Sequence, residues 1–272
     1  MSGIRTDLAN ERRELNKSDC KGLKSSTRKI GEVLIEETEI SDRITARKLN
    51  LSIGKYLSIS FTDPFLKTDH SDIIKAIIEC LSALFEKTPK SILVLGLGNR
   101  NVTPDSIGVL TCDLVQATRH LSADPLFDFL CTKGCCVSVM ATGVLSDTGI
   151  ESAETAKAIV NQIKPDTVII IDALSARRPE RLCRTIQLSD SGIIPASGYG
   201  GDRPAINREL LRVPVIGIGI PTVINSGTYR ADFGIKDNDD GLVLTPVNIG
   251  DLVKRCAEIL SDGINSFFGV DF

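Results

Sequence analysis

Between residues 71 and 85 the apolar side chains Ile73, Ile74, Ile77, Ile78, Leu81 and Leu84 recur at helical spacing, and Ser71 and Asp72 are able to cap the start. The spacing predicts an amphipathic helix. SILVLGL, at 91–97, is then a continuous apolar run of strand length, and 104–120 returns to a helical pattern through Ile107, Leu110, Leu114 and Val115. The alternation repeats with CVSVM at 136–140, a helix over 152–163, TVIII at 167–171, a helical or irregular stretch through Arg184, VPVIGIGI at 213–220 and a closing helix over 251–260. A strand that is apolar on both sides must be covered on both. The expected fold is therefore α/β, a three-layer, mainly parallel sheet with helices on both faces.

Other segments fit this plan less directly. YLSISF, at 56–61, predicts a short strand, and TIQLSD, at 185–190, alternates as a more exposed edge strand does. Residues 1–50 are charged and weakly periodic, which predicts a loosely held N-terminal arm beside a single domain over 51–272. The glycine- and proline-rich stretch PASGYGGDRP, at 195–204, is too long for a tight turn and reads equally as a mobile substrate loop or as solvated filler.

Composition narrows the function classes. The 272 residues carry 32 basic and 35 acidic side chains mixed along the chain, so no basic face for phosphates stands out. Aromatic residues make up only 4% and tryptophan is absent, which removes the usual stacking platforms for single strands. Direct nucleic-acid binding is not expected; the partners are a protein or a small molecule. The polar start lacks the apolar core of a secretion signal, and no apolar run approaches the ~20 residues that span a bilayer. A cytoplasmic protein without membrane contact is expected. The eight cysteines are scattered as reduced thiols would be, and Cys131, Cys135 and Cys136 lack paired metal-ligand spacing. Neither a metal nor a cofactor is expected.

Two acids stand out as chemistry. The turn GLGNRNVTPDSIG follows the 91–97 strand, but Asn101 occupies the third glycine position of a dinucleotide fingerprint. What remains is a helix start, with Thr103 as N-cap, Pro104 in the first position and Asp105 in the first turn. The dipole there favours a carboxylate by about 0.3–1 kcal/mol, so Asp105 has a structural explanation as well as a catalytic one. Asp172 ends the apolar strand of VIIIDALSARR and emerges at the same carboxyl edge, unless it merely caps the next segment. If the two strands are neighbours, the pair suits hydrolysis: like charges held close keep one carboxyl protonated while the other activates water. Competing schemes have little to work with. The chain has only His70 and His120, no GxSxG elbow, no HExxH and no P-loop. Arg177 and Arg178, just after Asp172, suit a substrate carboxylate, an internal acid or a solvated turn.

With these residues in view, the chain resembles the germination proteases of endospore-forming bacteria, which degrade small acid-soluble spore proteins. The resemblance is carried by RTDLANE (5–11), GLGNRNVTPDSIG (96–108), ATRHL (117–121), GVLSDTGIES (143–152), IIIDALSARRPERLCRTIQLSDSGI (169–193), SGYGG (197–201) and VPVIGIGIPTVI (213–224), in the family's order. It implies an atypical aspartic-type endopeptidase with a fold similar to the hydrogenase maturation peptidases. It further implies a tetramer in the spore core, made as a zymogen with a short removable N-terminal segment. The family's two acids fall on Asp105 and Asp172, and Asn99, Arg177 and Gly198 are expected to support the site or hold substrate. Two alternatives stay open. A maturation-type peptidase needs a histidine near the site to read bound metal, and none follows His120; a noncatalytic homologue would use the glycine turn only to hold an anion.

Overall fold

The computed structural model describes residues 4–16, 20–65, 67–85, 87–125, 127–195, 203–235 and 241–270. Its first half runs α1 (Ala9–Leu15), β1 (Leu23–Ile30), β2 (Val33–Ile40), α2 (Arg43–Leu49), β3 (Gly54–Ser60), α3 (Lys67–Leu84), β4 (Ser91–Leu97), α4 (Ile107–Leu114), α5 (Phe127–Leu130) and β5 (Cys136–Gly143). The second half runs α6 (Leu145–Thr148), α7 (Ser152–Ile163), β6 (Thr167–Ser175), β7 (Thr185–Ser189), α8 (Arg208–Leu211), β8 (Val215–Asn225), α9 (Ser226–Asp232), β9 (Val243–Leu244) and α10 (Ile249–Phe268). The strands form one sheet in the order β1-β2-β3-β7-β8-β6-β4-β5, with β9 paired to β8.

The fold is α/β in three layers. At the centre β5, β4, β6 and β8 are parallel, as near-continuous apolar strands require, while β7, β3, β2 and β1 extend the sheet antiparallel. Alternate residues of the central strands serve opposite layers. Val94, Ile169 and Ile171 pack with Ile73, Ile77 and Leu81 of α3 and with Val253, Leu260 and Ile264 of α10. Leu93, Leu95, Val168 and Ile170 pack with Ala156 and Val160 of α7 and Leu211 of α8.

Several expectations need correction. The helix anticipated over 104–120 is a 3-10 turn at Thr103–Asp105 followed by α4, which ends at Leu114. The chain turns extended at Val115, and the Thr118 hydroxyl instead bonds the β5 edge, donating to the Cys135 carbonyl and accepting the Val137 N–H. Thr103 is inside the 3-10 turn, with Val102 in the cap position, so it is not the N-cap. The closing helix reaches Phe268, because its apolar stripe continues through Ile264, Phe267 and Phe268 before Gly269 caps it in the left-handed region. The 185–190 segment is an interior strand, buried at all five positions between β3 and β8. Its alternating polar residues mislead because protein faces them: Gln187 accepts the Ala9 N–H at 2.7 Å and donates to the Asp7 carbonyl at 3.0 Å.

The largest correction concerns residues 1–50. The described residues of this segment, 4–16 and 20–50, are no loose arm, since β1 and β2 continue the sheet and Val33 and Ile35 enter the main core. Leu8, Ala9, Asn10 and Glu11 are fully buried. Charge along the hairpin hid the pattern: β2 buries Val33 and Ile35 on one face and Thr38 and Ile40 on the other, and Glu36, Glu37 and Glu39 interrupt both series.

Candidate functional site

Asp105 is placed by glycines. Gly98 has φ +103, and a Cβ there would stand 1.9 Å from the Asp105 carbonyl oxygen, so only glycine lets the turn fold back on the acid. The Asn99 N–H then donates to Asp105 Oδ2 at 2.7 Å, and the Asp105 N–H donates to the Val102 carbonyl at 2.8 Å. Gly96 and Gly108 bring α4 against β4 with no side chain between, because a Cβ on Gly96 would meet the Gly108 carbonyl oxygen at 2.2 Å. This pulls the 3-10 turn over the carboxyl edge of the sheet.

Asp172 arrives from the neighbouring strand. β4 and β6 pair in parallel, with Gly96 opposite Ile171, so the condition for a shared crevice is met. Asp172 lies opposite Gly219 of β8 and is 5% exposed; its Oδ1 accepts the Ala173 N–H at 2.9 Å. Burial pushes its carboxyl well above the usual carboxylate range, the charge of Asp105 pushes further, and Asp7 adds to the effect while Arg203 opposes it. The half-buried Asp105 is raised less. Desolvation lifts it, while the Asn99 N–H and the Arg203 guanidinium favour its ionised form. The structure thus brings the two acids into one field with unequal proton affinity.

A cleft of about 460 Å³ opens beside β8, and neither acid lines it. Its floor includes Gly217 and Gly219, the latter the register partner of Asp172, and Leu174 and Asp7 also line it. On the far wall stand Arg43 and Arg47, one turn apart on α2 and exposed, with Arg12 of α1. Among the described residues neither Arg43 nor Arg47 is paired with an acid.

The supporting residues fare differently. Asn99 supports Asp105 through its backbone and through its Oδ1, which accepts the Asn101 N–H at 2.8 Å. The Arg177 guanidinium is taken by Asp232, at 2.7 Å, and so is committed to an internal acid. Gly198 falls outside the described residues. His70 sits on α3 against Asp262 and Arg255 of α10, and His120 is in a separate 3-10 turn. Among the described residues no cluster of histidine, cysteine or acid is arranged to hold a metal, and no helix is long and apolar enough to cross a membrane.

Sequence reasoning missed two members of the charged group. Asp7 lies far upstream in RTDLANE, and only the fold returns it to β6, where its Oδ2 accepts the Ser175 N–H at 2.7 Å. Arg203 lies within the glycine- and proline-rich stretch at 195–204, where its charge alone gave no direction.

Comparison with known proteins gives one consistent result. A family model described as germination protease matches residues 4–236. A germination protease of Clostridium perfringens is 34% identical, with 97% of this chain and 95% of that protein covered. One from Caldanaerobacter subterraneus is 36% identical, covering 97% and 93%, and one from Bacillus pumilus is 35% identical, covering 90% and 73%. Among solved structures, the [NiFe] hydrogenase maturation protease HycI of Thermococcus kodakarensis matches 68% of this chain and 99% of its own, at 18% identity and a TM-score of 0.38.

Proposed function

The chain belongs to the germination protease family, and from that premise we propose that it is an endopeptidase that degrades small acid-soluble spore proteins by a two-aspartate mechanism. The observation that carries the mechanism is the placement of the buried Asp172 near the end of β6 beside the half-buried Asp105, which the turn after the neighbouring, parallel β4 folds back toward it.

Asp172 keeps the proton and is the acid; Asp105, with its N–H donor and a nearby guanidinium, is the base. Asp105 takes a proton from water as the water oxygen attacks the scissile carbonyl carbon, and Asp172 gives its proton to the carbonyl oxygen. As the tetrahedral centre collapses, the proton on Asp105 passes to the leaving nitrogen and a hydroxyl proton returns to Asp172. The pair is thereby restored without a covalent intermediate.

The cleft beside β8 is the candidate site for the substrate chain. The exposed Arg43 and Arg47 of α2, which line it, favour acidic side chains of the substrate. Self-association belongs to the same reading and is supported by exposed Tyr229, Phe233, Leu242 and Val247 near the end of β8. Incubation of the purified protein with a small acid-soluble spore protein, with fragments mapped by mass spectrometry, tests the proposal. Internal cleavage is expected; an intact substrate after any maturation of the enzyme contradicts it.

A further inference from the structure

The strand end that carries Asp172 is fastened from outside the sheet, and one buried carboxylate makes most of the junction. Glu11, on α1, is fully buried. Its Oε2 accepts the Arg177 N–H at 2.7 Å together with the Thr6 hydroxyl, and its Oε1 accepts the Arg178 N–H at 3.0 Å. The Arg181 Nε stands 3.7 Å away. The same segment grips the chain earlier, where the Asp7 N–H donates to the Ser175 carbonyl at 2.9 Å.

The turn needs such a hold. Register between β6 and β8 shifts at Leu174/Ser175, so the regular ladder gives out three residues after Asp172. On the far side of β8, Gln187 lies opposite Gly219, the partner of Asp172, and it too is held by Ala9 and Asp7. An apolar side chain at position 11 would avoid desolvating a charge, but it could not accept two adjacent backbone N–H groups. The carboxylate is matched to the 177–178 turn.

We infer that Glu11 is a positioning residue for the hydrolytic pair: by binding the 177–178 main chain it fixes the strand end on which Asp172 is presented to Asp105. The inference rests on the two-aspartate reading. Glu11 itself touches no reacting atom and acts through the backbone.

The test uses the full chain carrying Glu11→Gln or Glu11→Asp, with Arg13→Ala as a control that removes a Glu36 ion pair from the same helix. Peptide cleavage kinetics, melting temperature and amide hydrogen exchange at 173–178 are measured on each. In Glu11→Gln an amide NH₂ must face one of the two N–H donors, and kcat falls about 10- to 100-fold, the scale of an ~1 Å misplacement at a reacting group. KM changes by less than kcat while exchange at 173–178 quickens, because the turn is loosened but Arg43 and Arg47 of the cleft are untouched. Glu11→Asp keeps the charge with a shorter reach and falls between wild type and Glu11→Gln. An unchanged kcat in folded Glu11→Gln overturns the inference. So does a loss of kcat that Arg13→Ala reproduces at equal loss of melting temperature, or failure of both Glu11 variants to fold, since each assigns Glu11 to general stability. Asp172→Asn separates the underlying reading: if that variant is inactive while Glu11→Gln is not impaired, only the positioning role fails; if Asp172→Asn turns over normally, the two-aspartate mechanism fails first.

Discussion

A Cβ on Gly108 would stand 2.3 Å from the carbonyl oxygen of Ile171, the residue immediately before Asp172. The same Cβ would meet the Leu97 oxygen at 2.5 Å and its nitrogen at 2.7 Å, so all three obstacles are backbone. No rotamer change can relieve them. Gly108→Ala must move α4 away from β4 and β6, and with it the turn that holds Asp105. Overpacking of this kind costs about 1–3 kcal/mol, and a rigid backbone neighbour places this case at the upper end. Chemical denaturation and a cleavage assay should therefore show a loss of stability and at least about a ten-fold loss of activity, since even small misplacement at the acids is costly. An alanine variant with wild-type stability and turnover contradicts the close approach.

Asp172 should cost stability at neutral pH. Its folded carboxyl is raised well above an ordinary one by burial and by Asp105, whereas in the unfolded chain it ionises near pH ~3.9. Between those two values the folded state binds more protons than the unfolded state, so this group's contribution is full below the unfolded pKa and is lost as pH rises through the folded one. Asp172→Asn cannot ionise and escapes that loss. Thermal unfolding should show the variant gaining on wild type as pH rises from 4 to 7, by about 2 °C or more. A parallel pH dependence in the two proteins contradicts a protonated, buried Asp172.

Arg203 favours the ionised forms of both acids. Removing it raises both, so in Arg203→Ala the pH–rate profile should move to higher pH as well as lower, because a cation near a carboxyl holds its proton affinity down. Arg203→Lys keeps the charge and should retain most of the wild-type position. Profiles of kcat/KM for the three proteins decide this, and an unmoved profile in Arg203→Ala removes Arg203 from the site.

The central architecture was legible because β4 and β6 are apolar on both faces, a pattern that few structures other than a covered parallel sheet can satisfy. The positions of Asp105 and Asp172 at the carboxyl edge were legible for a related reason: Asp172 follows directly on the apolar run of β6, and Asp105 lies in the glycine turn that follows the run of β4. Residues 1–50 were not. There β2 buries residues on both faces while Glu36, Glu37 and Glu39 interrupt each apolar series, and Leu8 and Glu11 are buried by partners more than 160 positions away. β7 misled in the same way, since a polar residue such as Gln187 reads as solvent-facing until its protein partner is known. Asp7 and Arg203 carry no local periodicity; only the fold gathers them.

Arg43 and Arg47 stand on the cleft wall without acidic partners among the described residues. If they receive acidic side chains of the substrate, Arg43→Ala/Arg47→Ala should raise KM about five-fold for an acidic peptide with little change in kcat, as expected for exposed ion pairs. A neutral peptide of equal length should be cleaved as by wild type. Equal effects on both peptides contradict charge recognition by α2.

The most direct measurement of the central claim is turnover of a small acid-soluble spore protein by wild type, Asp105→Asn and Asp172→Asn at matched concentration, with folding checked by circular dichroism. Each asparagine keeps the shape of the side chain and removes its ability to exchange a proton, and a placed acid or base contributes about 10²–10⁴-fold. The two-carboxylate account predicts specific internal cleavage by wild type and a loss of that order in each folded variant. Wild-type-like turnover in either variant contradicts it.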